Sequence, residues 1–348
     1  MTTDSEGRAL QGGLEIATDA AERVGWQRIK DDIFRAPENT SILTALLGVG
    51  SQIFVTLCFG LVLMGLYFAA PRMRASLYYL GICLSGMCGF FNGYAASRTL
   101  KFFSVKLADW RYSALFSCMI FPCYLLLILC LADIVEWYSG NISAGAIGPG
   151  FALFSVWWLI HGTAAFIGAW KGFQKDLAVL PEVGSIKRTL PPRPWYLKQL
   201  AIGGVYSAAI FGSFVFEVYY LMESLWTSYM TLGLLIVLLV SLLIMSVTIA
   251  AVSVMVTYQL LRHQCYDWVW SSYSVGASGG LYMFAYAVYY LAAYEDMSFL
   301  SGDFFYFVTM MLVCSCFSVM CGSVSLFSSY WFAERIYIAC SKGDFTRF

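Results

Sequence analysis

The chain has 348 residues, of which 60% are hydrophobic and only 12% charged, with a mean hydropathy of +0.71. Soluble domains carry about 45–50% apolar and about 25% charged residues, so a water-soluble globular fold is excluded. Twenty-one basic residues cancel 21 acidic ones, so nothing in the net charge points to nucleic acid, which is not expected as a partner.

The first 41 residues are polar and carry no secretory signal peptide, so the first span is expected to insert as an internal signal-anchor. Within them, ERVGWQRIKDDIFRA (22–36) sets Trp26, Ile29 and Ile33 at helical spacing among charges. That pattern fits a short amphipathic helix on the cytosolic leaflet and equally a short helix packed on the base of a bundle. A bilayer core about 30 Å thick needs about 20 apolar residues per helix. Eight stretches qualify: 42–69, 76–97, 113–134, 147–169, 200–222, 229–256, 277–294 and 305–330. The second is the weakest, interrupted by glycines and Asn92. The expected fold is therefore all-α, a polytopic membrane bundle of about eight transmembrane helices. It divides into a cytosolic segment 1–41, a transmembrane domain 42–330 and a cytosolic tail 331–348.

Connections alternate between long and short. The N-terminal segment, the long connections 98–112, 170–199 and 257–276, and the tail together hold 19 Lys and Arg, whereas the short connections hold only Arg72 and Arg74. The positive-inside rule then places both termini in the cytosol. Trp110, Trp137, Trp170, Trp195, Trp226, Trp268, Trp270 and Trp331 lie near span ends, as an interfacial aromatic belt requires, while Trp157 and Trp158 fall mid-span.

Few residues suggest chemistry. Glu217 lies within the fifth span, and a carboxyl group there costs about 2.5–3.5 kcal/mol on insertion scales, which makes it a functional candidate. A structural hydrogen bond inside the bundle is its simpler alternative. His161 sits mid-span with no acidic residue beside it, and a packing role is the simpler reading. Gly168 with Gly172, and Gly276 with Gly280, stand at the four-residue spacing that lets helices approach closely. Pro122 can kink the third span. Asn141-Ile142-Ser143 is an N-glycosylation sequon on the expected lumenal side, whereas Asn39-Thr40-Ser41 falls in the cytosol and is expected to stay unmodified. Eleven cysteines and two histidines form no metal-ligand spacing, and the cysteines read as apolar packing residues. No nucleotide-binding, hydrolase or metalloprotease motif occurs, so neither a cofactor nor an enzymatic activity is expected.

An ordered set of segments resembles the transmembrane 9 superfamily, the nonaspanins. GWQRIKDDIFR (25–35), LLGVGSQI (46–53), FNGYAASRTLKFF (91–103), KRTLPPRPWYL (187–197), FGSFVFEVYYLMESLW (211–226), YQLLRHQCYDWVWSSY (258–273) and FAERIYIACSKGD (332–344) are similar to that family's motifs in order and spacing. The resemblance implies correspondence to the last eight of nine family spans, without the lumenal N-terminal domain. Gln264 and Cys265 stand where the family has an acidic pair, and the sixth span lacks the family's carboxylate, while Glu217 matches its lumenal-leaflet glutamate. Lys342 and Asp344 match a C-terminal Lys-x-Asp signal read by the COPI coat, here followed by four residues. The resemblance implies a sorting protein of Golgi and endosomal membranes, a cargo receptor whose partners are the lipid bilayer and the transmembrane segments of client membrane proteins. The rival reading is a small-solute or ion transporter lined by Glu217, His161 and Pro122. Transporters commonly carry broken helices and internal repeats, and no repeat relates 42–169 to 200–330.

Overall fold

The computed structural model describes residues 32–69, 74–103, 110–138, 147–176, 183, 191–220, 232–294 and 300–342. Among these residues the regular structure is entirely helical: α1 (Thr40–Ala69), α2 (Arg74–Met87), α3 (Gly89–Phe103), α4 (Trp110–Tyr138), α5 (Ile147–Gln174), the segmented α6, α7 (Leu232–Arg262), α8 (Trp268–Ala277), α9 (Gly279–Tyr294) and α10 (Leu300–Lys342). α6 runs through Gln199–Ala201, a π-helical turn at Ile202–Tyr206 and Ser207–Gly212, and resumes at 215–220.

Five helices are long and apolar enough to cross a bilayer: Thr40–Phe68, Ala114–Ile134, Gly150–Gln174, Leu235–Arg262 and Tyr306–Ile338. Two of the other three expected spans are interrupted, the second at Cys88 and the fifth at the π turn and again at Ser213–Phe214; the seventh is a shorter continuous helix that starts at the Ser278 break after α8. Backbone groups freed by such breaks must be satisfied inside the protein, since lipid offers no partner. Around Ser278 they are: Ser207 Oγ donates to the Val275 carbonyl at 2.8 Å and Ser318 Oγ to the Ala277 carbonyl at 2.6 Å. Tyr282 Oη donates to Gly204 in the π turn at 2.6 Å.

Large apolar side chains cover the outside, among them Leu159, Phe216 and Leu281, each at least 70% exposed. In water this would be an aggregating surface; in a bilayer it is the lipid-facing one. Inside, buried apolar side chains form the core, and at particular glycines the helices approach backbone to backbone. A β-carbon added at Gly93 would overlap the Ala165 carbonyl, and one at Gly168 the Phe90 carbonyl, so α3 and α5 touch through their main chains. Gly172 presses on Tyr94 and Ser97. Gly276 and Gly280 seat α8 and α9 on Cys321 and Ser318 of α10 in the same way, as their spacing suggested. In α1, Gly48 admits Asn92 and Ser117 on one side and Gly50 admits Ser323 on the other, so α1 joins the two halves of the bundle. Free cysteines, five of them buried, fill space as small apolar groups among the described residues.

The cation-rich segments converge on one end. Arg98 Nη1 donates to the carbonyls of Lys175 (2.6 Å) and Asp176 (3.0 Å), and Lys101 Nζ to that of Phe173 (2.9 Å), so two cations cap the C-terminus of α5. At the same end Arg193 pairs with Asp267, and Tyr196 Oη meets His263 Nε2 at 2.9 Å. Residues 32–38 form turns and irregular backbone rather than a helix; Trp26 and Ile29 lie outside the described residues. Ile33 is fully buried, and its carbonyl accepts from Trp268 Nε1 at 2.8 Å. Phe34 packs against Phe102, Tyr330 and Tyr337. The described part of the segment is thus embedded in the bundle base. Trp268 is fully buried there, whereas Trp137, Trp195 and Trp331 are exposed as a belt requires. Cys265 is buried beside it, and burial pushes its thiol pKa up.

Gly93→Leu is expected to destabilise the bundle by about 1–3 kcal/mol, because a backbone carbonyl cannot swing away from the added side chain. Gly65→Ala, at a position with nothing within 4 Å of the added carbon, should leave stability unchanged or slightly raised. Thermal unfolding of detergent-solubilised protein, followed by tryptophan fluorescence, separates the two.

Candidate functional site

The two intramembrane polar candidates fall in different surroundings. His161 on α5 is fully buried, as are Asn92 and Ser117, and Gln52 is 2% exposed. These four form a closed network across α1, α3, α4 and α5. Asn92 Nδ2 donates to Gln52 Oε1 at 3.0 Å and to the Ser117 carbonyl at 3.4 Å, and Ser117 Oγ donates to Asn92 Oδ1. With its oxygen so engaged, Gln52 presents its amide NH₂ to His161 Nδ1 at 3.1 Å. Nδ1 must therefore accept. The proton sits on Nε2, which donates to the Cys118 carbonyl at 3.2 Å. Trp157, the mid-span exception, stacks on the imidazole at 5.3 Å between centroids and donates through Nε1 to Ser85 Oγ at 3.0 Å. Each polar atom of the His161 ring has one partner, which makes this a packing histidine whose partner, Gln52, lies 109 residues away in sequence.

Glu217 is different. The helix restarts after the Ser213–Phe214 turn, where Phe214 N donates to the Phe211 carbonyl at 3.1 Å. Phe214 and Val218, each 4% exposed, anchor the turn in the core, with Phe214 against Phe317. Glu217 shares their helix face, while Phe216 is 74% exposed to the other side. That places Glu217 on the wall of a cavity of about 670 Å³ bounded by α1, α4, α6, α7, α9 and α10. The wall is otherwise aliphatic, aromatic and thioether, apart from the hydroxyl of Ser241 and the thiol of Cys316. Ser241 Oγ is already donated to Leu238 on its own helix at 3.0 Å. Glu217 makes no hydrogen bond or ion pair among the described residues. A second cavity of about 640 Å³ shares Ile53, Leu57, Phe121, Leu125 and Cys316 with the first and does not reach Glu217.

Pro122 lies inside α4, which continues through it. Lys342 is the last residue of α10. Asp344 and the sequon residue Asn141 lie outside the described residues. No group of three or more His, Cys, Asp or Glu that could hold a metal occurs among the described residues. The Gln52–Asn92–Ser117 network was missed in the sequence, where Asn92 marked only a weak span.

His161→Leu should leave the Gln52 amide buried without an acceptor and cost about 1–3 kcal/mol. The same thermal unfolding experiment measures it, and Asn92→Leu should lose a comparable amount.

The family model for endomembrane protein 70 matches residues 3–300. The chain is 31% identical over 336 residues to transmembrane 9 superfamily member 8 of Arabidopsis thaliana, covering 93% of this chain and 50% of that protein. It is 27% identical over 334 residues to transmembrane 9 superfamily member 2 of Homo sapiens, covering 93% of this chain and 49% of that protein. The chain thus spans about half the length of the curated relatives it matches. No solved structure matches it. With a family model covering most of its length and relatives aligned over nearly all of it, this multi-pass endomembrane protein belongs to the transmembrane 9 (endomembrane protein 70) superfamily.

Proposed function

We propose that the chain is a sorting protein of Golgi and endosomal membranes, a cargo receptor that engages the transmembrane segments of client membrane proteins through its eight-span domain. Glu217 carries the reading. It is a carboxyl group without a partner among the described residues, next to the lipid-exposed Phe216 and Tyr220. A client helix bearing a polar or basic group can satisfy it, and such a contact is favoured because hydrocarbon offers no alternative partner. Family membership supports the endomembrane setting. The convergence of residues 32–38, 98–103, 173–176 and 193–199 at one end supports a single cation-rich cytosolic face. Lys342 and Asp344 then lie on that side, within reach of the COPI coat.

Interrupted helices and the cavity favour a transporter as the second reading. Against it, the Val275 and Ala277 carbonyls just before Ser278 and the Gly204 carbonyl in the π turn already accept from Ser207, Ser318 and Tyr282, which takes up one acceptor site on each.

Client membrane proteins should co-purify with the full chain in mild detergent and be lost, by tenfold or more, on Glu217→Leu. Unchanged client trafficking in cells lacking the protein would defeat the receptor reading, and proteoliposome flux that depends on Glu217 would establish the transporter. For the orientation, any glycosidase-sensitive gel shift should vanish on Asn141→Gln and persist on Asn39→Gln; the reverse result inverts the topology.

A further inference from the structure

The Glu217 cavity is a half-open apolar cleft between α1, α4, α6, α7, α9 and α10, with Glu217 partly buried in its wall. Its volume of about 670 Å³ falls within the range of about 300–1,000 Å³ typical of small-molecule sites. Four of its wall residues are methionines, Met64, Met245, Met283 and Met320, whose flexible thioethers adapt to irregular apolar shapes. Against this hydrocarbon wall stands one acidic group, Glu217, and one hydroxyl, Ser241, whose proton is already used within its own helix. The chamber therefore offers acceptors and, apart from the weak thiol donor of Cys316, no free polar donor among its lining residues. An occupant must bring a hydrocarbon body and a donor or cationic head. A carboxylate or phosphate head would face Glu217 as a like charge.

We infer that this chamber binds a single-chain amphiphile with a primary amine head, the ammonium paired with Glu217 and the alkyl chain lying among the methionines. This goes beyond the client reading, which uses the same Glu217, because the occupant is a small amphiphile lying in the cleft rather than a helix at its mouth. An amine beside Glu217 supplies the counter-ion that the protein itself does not provide among the described residues, and burial from water strengthens the pair. The chain's contribution is hydrocarbon contact, so recognition depends on both parts of the ligand together.

The test uses the purified full chain in detergent and a photoactivatable octadecylamine as probe. Labelling should saturate and be competed by octadecylamine, but not by octadecanol, stearic acid or lysophosphatidylethanolamine. The last of these separates a free long-chain amine from an amine lipid that also carries phosphate. Glu217→Gln, which keeps the shape and removes the charge, should weaken labelling at least tenfold. Met245→Trp fills the chamber without touching Glu217; it should abolish labelling while client co-purification persists, so that failure of one proposal is distinct from failure of the other. Size-exclusion chromatography checks that each variant is monodisperse, and if Met245→Trp is not, Leu242→Phe replaces it. Equal labelling of wild-type protein and monodisperse Glu217→Gln, or equal competition by octadecanol, overturns the inference.

Discussion

Inside a bilayer a polar group has no water to fall back on, so each must find its partner within the protein. Here that constraint is met by bringing backbones into contact. The glycines of α3 and α5 let the two main chains touch, and the same close approach places Asn92, Gln52, Ser117 and His161 within hydrogen-bonding distance of one another. On the other side of α1, Ser272, Ser325 and Ser329 with Thr257 play the corresponding role between α7, α8 and α10. Thr257 Oγ1 donates to Ser329 Oγ at 2.9 Å, and Ser325 Oγ to the Ser272 carbonyl at 2.6 Å. Apolar burial contributes little in hydrocarbon, where an outward leucine is as well solvated as an inward one. Packing distance and polar satisfaction therefore hold the bundle together.

The segments that carry the family resemblance turn out to be the joints of this arrangement. In LLGVGSQI, Gly48 and Gly50 admit a neighbouring helix on each side of α1, and Gln52 closes the polar network. In FNGYAASRTLKFF, Asn92 enters that network, Gly93 meets α5, and Arg98 and Lys101 cap its end. KRTLPPRPWYL and YQLLRHQCYDWVWSSY meet through Arg193–Asp267 and Tyr196–His263. Trp268, from the second of these, pins residues 32–38 to the base. All of this is architecture, with no catalytic grouping among the described residues.

Glu217 stands apart as a carboxyl group within the fifth span that has no partner among the described residues, where the buried Thr56 Oγ1 and Asp267 Oδ1 also lack one. His161 and Glu217 look alike in the sequence, each a lone titratable residue in an apolar run. One is fully enclosed by partners; the other lines an apolar chamber at a helix restart. A membrane protein that leaves a carboxyl group in such a place carries a cost unless something else completes it. The client and ligand proposals both begin from that imbalance.

Composition determined that the chain is a membrane protein, because 12% charged residues cannot solvate a surface of this size, and apolar stretches of about 20 residues made its spans helices. Length and hydropathy located the helices, and the distribution of cations grouped the segments that later meet at one end. These properties are local or additive along the chain, so a one-dimensional reading captures them. The breaks at Cys88, Ser213–Phe214 and Ser278, the burial of Trp268, the Gln52–His161 pair and the emptiness around Glu217 were decided only by tertiary structure. Each depends on which residue of a distant helix arrives opposite, and hydrophobic periodicity is nearly silent about that when a helix is apolar on every face. In lipid the sequence marks where a helix lies, and the neighbours that approach it choose which of its polar groups are satisfied.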